Sequence, residues 1–456
     1  MMKKVLSLFL LIFSLVVLAS CTTPTPEAGK TEEKTPEKTP VLPTGELFVL
    51  PELKGKSYVE ALVLCNMEIE LNPIYVATNE VLPDKVIGYG AGLNAGDSIE
   101  KGSMIDLKIA KKPDNSLSKD SKVMYVSEVC ELTGPTSLNA EDLLAAGIYG
   151  TDLGIPVKVG DEMIFLFGDS FSGPNMKGGW KSNFMTKVKD DTYWDDLIME
   201  TIVNDRGGAL PFYEGRHQGG NETDNSVEVT KIPTGGITIG DTVYIFYMSI
   251  RYWGVAGSWN VNYNSVVKSN VNDLHNWEEV NELTWTEEQA YNFGQIYPFE
   301  DPNSEYIYIY GIPGGRNGAC QVGRTTKENF LNFEEYEYLV AEETWVKGSA
   351  GLNQLKGDDS YCIIDPIVSE MSVVYNPYLG KYMTVFYRNS KLIMMTADTP
   401  YSKFGNSVTL LDQTDYNGIY GGFIHPEFLA DGGQSFYMTV SCWEVYNVYW
   451  VKVVLN

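Results

Sequence analysis

Asp152, Asp169 and Glu370 are the residues of this chain best placed to do chemistry. Asp152 lies in Gly150-Thr151-Asp152-Leu153-Gly154 and Asp169 in Phe167-Gly168-Asp169-Ser170-Phe171, while Glu370 directly precedes Met371-Ser372-Val373-Val374-Tyr375. Each is a charged residue set against apolar or glycine-rich sequence, where it is more confined than on a surface loop. Confinement can drive two carboxyl groups to different protonation states. One protonated and one ionised carboxyl, flanking the scissile bond, is what glycoside hydrolysis requires. The competing role for any one of these aspartates is to cap a turn by bonding to backbone amides. Other candidates for contacting a sugar are His217 in Gly215-Arg216-His217-Gln218, Asp224 in Asn221-Glu222-Thr223-Asp224-Asn225, and Arg316 in Gly314-Gly315-Arg316-Asn317-Gly318. The first two sit in a long loop of the kind that forms site walls. His275 precedes a tryptophan in a recurring loop and reads as structural. No Ser/His/Asp nucleophile arrangement and no phosphate-cradling loop stands out.

The elements that must hold these groups are strands. Met163 to Phe167, Thr242 to Met248, Tyr306 to Tyr310, Tyr382 to Tyr387 and Ser435 to Val440 are all rich in aromatic and β-branched residues. Most are followed after a turn by a second strand: Ser265 to Lys268, Gln321 to Arg324, Leu392 to Thr396 and Val448 to Val453. Aromatic-bearing loops are expected at Asn272 to Trp277 and Asn329 to Phe333. Five strand-rich units with almost no helical periodicity predict a mainly β fold, a five-bladed β-propeller over 123–456, with a β-sandwich as the alternative. In a propeller, strand ends converge on a central channel. The three carboxylates sit at such ends.

Upstream, Lys3 and Lys4 precede an apolar run from Val5 to Leu18, the pattern of an export signal. It closes with Leu18-Ala19-Ser20-Cys21, which resembles the lipobox of bacterial lipoproteins; the resemblance implies cleavage after residue 20 and lipidation of Cys21. Residues 21–46 are rich in Thr, Pro and Glu, without apolar periodicity, and are expected to be an extended spacer. Residues 47–112 predict a small α+β module. A helix is expected over Ser57 to Met67, with Ser57 and Glu60 forming a capping box, and strands over Lys85 to Tyr89 and Met104 to Ala110. Pro51, Leu53, Gly55, Ala61, Leu64, Val86-Ile87, Ala95-Gly96 and Gly102-Ser103 resemble a PASTA domain. That likeness implies contact with peptidoglycan or a spacer role. Residues 113–122 are a linker.

With 34 basic and 60 acidic residues the net charge is −26, which disfavours nucleic acid and anionic lipid headgroups as partners but not a neutral glycan. Six cysteines, five once Cys21 is set aside, predict mostly buried thiols with at most two bridges. Three histidines and no Cys-x-x-Cys argue against structural zinc.

The segments around Asp152 and Asp169, with Tyr420-Gly421-Gly422-Phe423 and His425-Pro426, resemble a bacterial family catalogued as domain of unknown function 4185. Members are similar to five-bladed-propeller glycosidases, and some are endo-D-arabinanases that cut the arabinofuranose polymers of mycobacterial walls. The resemblance implies that Asp152 and Asp169 line an active-site funnel. Ser369-Glu370-Met371-Ser372-Val373 with Tyr375-Asn376-Pro377 resembles a motif shared more widely among furanosidase propellers. On this basis Asp152 is assigned as general base, Asp169 as a charge that orients substrate or tunes a pKa, and Glu370 as general acid, with permuted roles left open. His425 is a candidate to line the channel or bind a central cation such as Ca2+, as in some related propellers; no cofactor is otherwise required. The box Ser-x-Asp-x-Gly-x-x-Trp of sialidase propellers is missing. The expectation is thus an extracytoplasmic, membrane-anchored hydrolase of furanose-containing polysaccharide. Its rivals are a non-catalytic glycan-binding propeller and a wall-assembly scaffold.

Overall fold

The computed structural model describes residues 46–456, apart from 57, 67, 78–84, 112–119, 121 and 190–192. The export signal, Cys21, nearly all of the spacer and most of the 113–122 linker lie outside the described residues, as does Ser57 of the expected capping box.

Five antiparallel sheets make up the large domain. The first contains Leu153–Val159, Glu162–Phe167, Phe184–Val188 and Met199–Thr201. The second contains Thr230–Ile239, Thr242–Trp253, Trp259–Asn270 and Asp273–Thr286. Gln295–Glu300, Tyr306–Ile312, Gly318–Thr326 and Glu337–Ala341 build the third, which Thr344–Lys347 and Ile364–Val368 extend. The fourth consists of Met371–Asn376, Lys381–Arg388, Lys391–Ala397 and Gly405–Asp412. Ile419–Ala430, Ser435–Cys442 and Asn447–Leu455 form the fifth, completed by Val123–Glu131 from the far end of the domain. The first strand of each sheet packs on the first strand of the next, and the fifth returns to the first. This closed ring is a β-propeller, with one chain end pinned into the last sheet.

The strongly apolar strands named from sequence are the second strands of their sheets, not the innermost. Their residues face the neighbouring sheets on both sides: Thr242–Trp253 is buried over nearly its whole length. A strand covered on both faces reads as continuous apolar sequence. Between the second and third sheets lie Phe246, Trp285, Phe330, Tyr336 and Tyr338; between the fifth and first lie Phe165, Phe428, Tyr437 and Trp450. The innermost strands, such as LGIPVKV and QIYPFE, carry Gly, Pro and polar residues and gave weaker signals.

The expected loop at Asn272 to Trp277 is a correction: strand Asp273–Thr286 begins there. Trp277 packs on the core and donates its indole N–H to the Leu274 carbonyl at 2.9 Å, which ties the aromatic to the strand start. The Asn329 to Phe333 loop runs into a 3-10 turn, Phe333–Glu335, over the buried Phe330.

In the small module, helix Tyr58–Cys65 packs Ala61 and Cys65 against Leu53, Val86 and Leu107. Met104–Lys111 is the central strand, antiparallel to Val86–Tyr89 and parallel to Glu70–Ala77. Glu70–Ala77 was missed in sequence because Pro73 interrupts it; at a sheet edge the missing N–H is tolerated. Among the described residues the five cysteines are free thiols, and no helix is long and apolar enough to cross a membrane.

Candidate active site

All five inner strands begin on one side of the ring. Their first residues, with the hairpin loops between second and third strands, enclose a cavity of about 800 Å³ that includes Asp152, Asp169, Arg316, Glu370, Tyr420 and Tyr446. The ring has therefore gathered all three carboxylates named from sequence, together with Arg316.

The local sequence explains how the two aspartates are aimed. Leu153 and Gly154 both have left-handed backbone, φ 68° and 75°, which turns the chain sharply as it leaves Asp152 and starts the strand. A Cβ at Gly154 would also sit 3.0 Å from the Val448 side chain. At Gly168 a Cβ would lie 2.5 Å from Oδ1 of Asp152, so only glycine lets the two acidic segments close on each other. The segments are then pinned by a hydrogen bond of 2.7 Å between the Thr151 and Ser170 hydroxyls.

Asp152 accepts a hydrogen bond at Oδ2 from the Tyr420 phenol, at 2.6 Å. Its Oδ1 is buried with no hydrogen-bond partner. Desolvation pushes its pKa up to about 7; the Tyr420 bond opposes the shift and the Glu370 charge adds to it. Asp169 accepts two bonds on Oδ1, from the Trp180 indole at 2.8 Å and the Thr230 hydroxyl at 2.6 Å. Desolvation outweighs both and raises its pKa to about 8, with Asp152 and Glu214 adding repulsion.

Glu370 is held differently. Arg316 grips it with Nε at 2.9 Å from Oε2 and Nη2 at 2.8 Å from Oε1, a bidentate pair. The guanidinium lies between the rings of Trp259, at 4.9 Å, and Tyr420, at 4.6 Å. Glu370, Arg316, Tyr420 and Asp152 thus form one connected chain of contacts.

The remaining candidates fall elsewhere. His217 stands behind the site: its ring meets Trp180 edge-on at 4.1 Å and hydrogen-bonds Glu214 at 2.6 Å. Asp224 is exposed and bonded to Ser226, which holds its carboxyl below the ordinary value. His425 lies at the opposite mouth of the ring, in a second cavity of about 400 Å³ with Lys158, Phe299, Glu300 and Glu427. Desolvation and the Lys158 charge hold its pKa down at about 3. Among the described residues no group of three or more His, Cys, Asp or Glu is arranged to hold a metal ion.

Sequence reasoning missed Trp180, Thr230 and Tyr446. Tyr446 sits at a hairpin tip with φ 56°, donates its phenol O–H to the Asp169 carbonyl at 2.9 Å, and accepts the Thr151 N–H on its own carbonyl at 2.8 Å. It closes the fifth sheet onto both acidic segments. Tyr420 lay inside a motif singled out in the sequence, but without a role for its phenol.

Residues 138–452 match the family described as Domain of unknown function (DUF4185). The chain belongs to this family. No curated protein matches it. Among solved structures it is similar to a Bacteroides ovatus protein provisionally assigned as a hydrolase, at 15% identity and a TM-score of 0.50 over 74% of this chain and 92% of that one. It also matches a family 117 glycoside hydrolase of Zobellia galactanivorans, at 11% identity and a TM-score of 0.39 over 74% and 92% of the two chains. The Bacillus subtilis arabinanase matches at 10% identity and a TM-score of 0.37, over 67% and 96%. The first of these likenesses speaks to the fold.

Proposed function

We propose that this member of the DUF4185 family is an extracytoplasmic glycoside hydrolase, anchored through lipidated Cys21, that cuts furanose-containing polysaccharide from the Asp152/Asp169 pair. The observation that carries the reading is two buried carboxyl groups, raised to about 7 and about 8, on one large cavity. Acids tuned to neutral pH in a cleft are the signature of acid–base work.

Asp169, the weaker acid, is the proton donor. Its two hydrogen bonds converge on Oδ1 and leave Oδ2 to carry a proton to the departing glycosidic oxygen. Asp152, when ionised, is cast as the base that takes a proton from the water that attacks the anomeric carbon. Glu370, assigned from sequence as the acid, is better cast as a positioning group, because both of its oxygens are taken up by Nε and Nη2 of Arg316. Its work is to keep Arg316 flat against Tyr420, which orients Asp152.

D-arabinan is the first polymer to try, because the motifs around both aspartates resemble those of endo-D-arabinanases. The Bacteroides likeness, at the level of fold, is compatible with hydrolysis. The PASTA-like module is cast as a spacer or a peptidoglycan contact. A second reading, a glycan-binding propeller without catalysis, draws support from Trp253 and Trp443, which are 40% and 52% exposed at the cavity mouth.

The deciding experiment is release of reducing sugar from D-arabinan, L-arabinan, fructan and galactofuranan by wild type, Asp152→Asn and Asp169→Asn. Cleavage of one polymer, lost in both folded variants, supports the hydrolase. Binding without cleavage supports the second reading. Loss of radiolabelled lipid from Cys21→Ser tests the anchor.

A further inference from the structure

The mouth of the active cavity is divided into two arcs. Each sheet contributes a loop between its second and third strands. In the fifth, first and second sheets, which are neighbours in the ring, these loops carry exposed apolar residues, of which Trp443, Met176, Trp253 and Val255 line the cavity and Val445 lies beside them in sequence. Val255 is 78% exposed, Val445 54% and Met176 44%. In the third and fourth sheets, also neighbours, the same loops end in Asn317, Asn389 and Ser390, all exposed. The one acid among the apolar tips, Glu444, turns away to hydrogen-bond the Asn417 amide.

Sugar rings stack on the flat faces of tryptophans, and the two rim tryptophans suit that role. Aliphatic side chains at the very tips of loops do not stack on sugars. Exposing them to water is unfavourable unless something apolar covers them. We infer that the cavity takes a glycan bearing an apolar substituent, an alkyl or acyl group, with its hydroxyls along the Asn317/Asn389/Ser390 arc and the substituent on the Val255/Met176 arc. A bilayer is a poorer occupant. It would press on the whole mouth, stripping water from the polar arc, and a protein of net charge −26 is repelled by anionic lipid.

This rests on the cavity being a glycan site, and its test reads binding rather than cleavage. The full chain is titrated by calorimetry with methyl, butyl, hexyl and octyl D-arabinofuranosides, below micelle formation. Kd should fall along the series, by up to about fourfold per added methylene, the factor that ~0.8 kcal/mol corresponds to. The Val255→Ser/Met176→Ser variant, altered only at exposed tips, should flatten that dependence. A flat series or no binding in wild type overturns the inference, as does a series equally steep in the variant. Sedimentation with phosphatidylcholine vesicles that requires Val255 and Met176 overturns it in favour of a bilayer. Chain-length dependence without cleavage of any polymer would count against the hydrolase alone; cleavage with a flat series would count against the apolar substituent alone.

Discussion

The two ends of the ring are made by the same five strands, yet they hold charge in opposite ways. At the starting ends, Asp152 and Asp169 are buried without a cation of their own and their pKa values rise to about 7 and 8. At the finishing ends, Lys158 pairs with Glu427, whose side chains are 45% and 44% exposed, and His425 is held neutral. The first arrangement is costly to the fold and useful to chemistry. In the second, the solvated Lys158–Glu427 pair contributes little, and His425 answers its own burial by staying neutral. Two buried acids on one cavity, rather than the presence of charge, set the starting ends apart.

That contrast can be broken most directly by activity. Asp152→Asn and Asp169→Asn should each lower polymer cleavage by roughly 10²–10⁴-fold. His425→Ala and Glu427→Gln, at the opposite mouth, should stay within about twofold of wild type. A large loss in His425→Ala would move the working end to the other mouth. The next effect is on stability. Glu370→Gln leaves Arg316 buried without its partner and should cost about 3 kcal/mol in denaturant unfolding, against less than about 1 kcal/mol for Glu427→Gln.

The pH dependence sharpens the comparison further. Because both aspartates have pKa values raised on folding, the native state binds more protons than the unfolded chain between about pH 4 and pH 8. Stability is therefore greatest below the unfolded pKa and falls as pH rises through 7 and 8, at roughly 1 kcal/mol per pH unit for each group. Asp169→Asn should flatten that slope in thermal melts recorded from pH 4 to pH 8, whereas His425→Ala should steepen it below about pH 6.5, because a histidine held neutral by the fold contributes stability that grows as pH rises from about 3 to 6.5. The smallest effect concerns tuning. Thr230→Val removes a bond that lowers the Asp169 pKa, so the alkaline limb of the pH–rate profile should move upward by about one unit or less. A downward shift would show that Asp169 does not carry the proton.

Much of this was legible in the residues. The apolar second strands announced a radial β fold because strands buried on both faces leave an unbroken run of large side chains. The glycines at 154 and 168 marked the acidic segments because only a residue without a side chain permits the turn and the close approach seen there. The innermost strands were less legible, since their residues are chosen for crowding at the ring rather than for apolar character. His425 was drawn toward the site by its neighbours in sequence. In the fold it lies five residues further along a strand whose start, at Tyr420, already contributes to the cavity, and that length carries it to the opposite mouth.

Sequence by itself determined the class of fold, the three carboxylates and the glycines that let two of them approach, because these depend on local pattern and on backbone space. Only the tertiary structure decided how deeply each carboxylate is buried and what partners it meets. Arg316 reaches Glu370 across 54 positions, Tyr420 reaches Asp152 across 268, and Thr230 reaches Asp169 across 61. A protonation state follows from desolvation and from neighbours in space, and closing the ring is what supplies both.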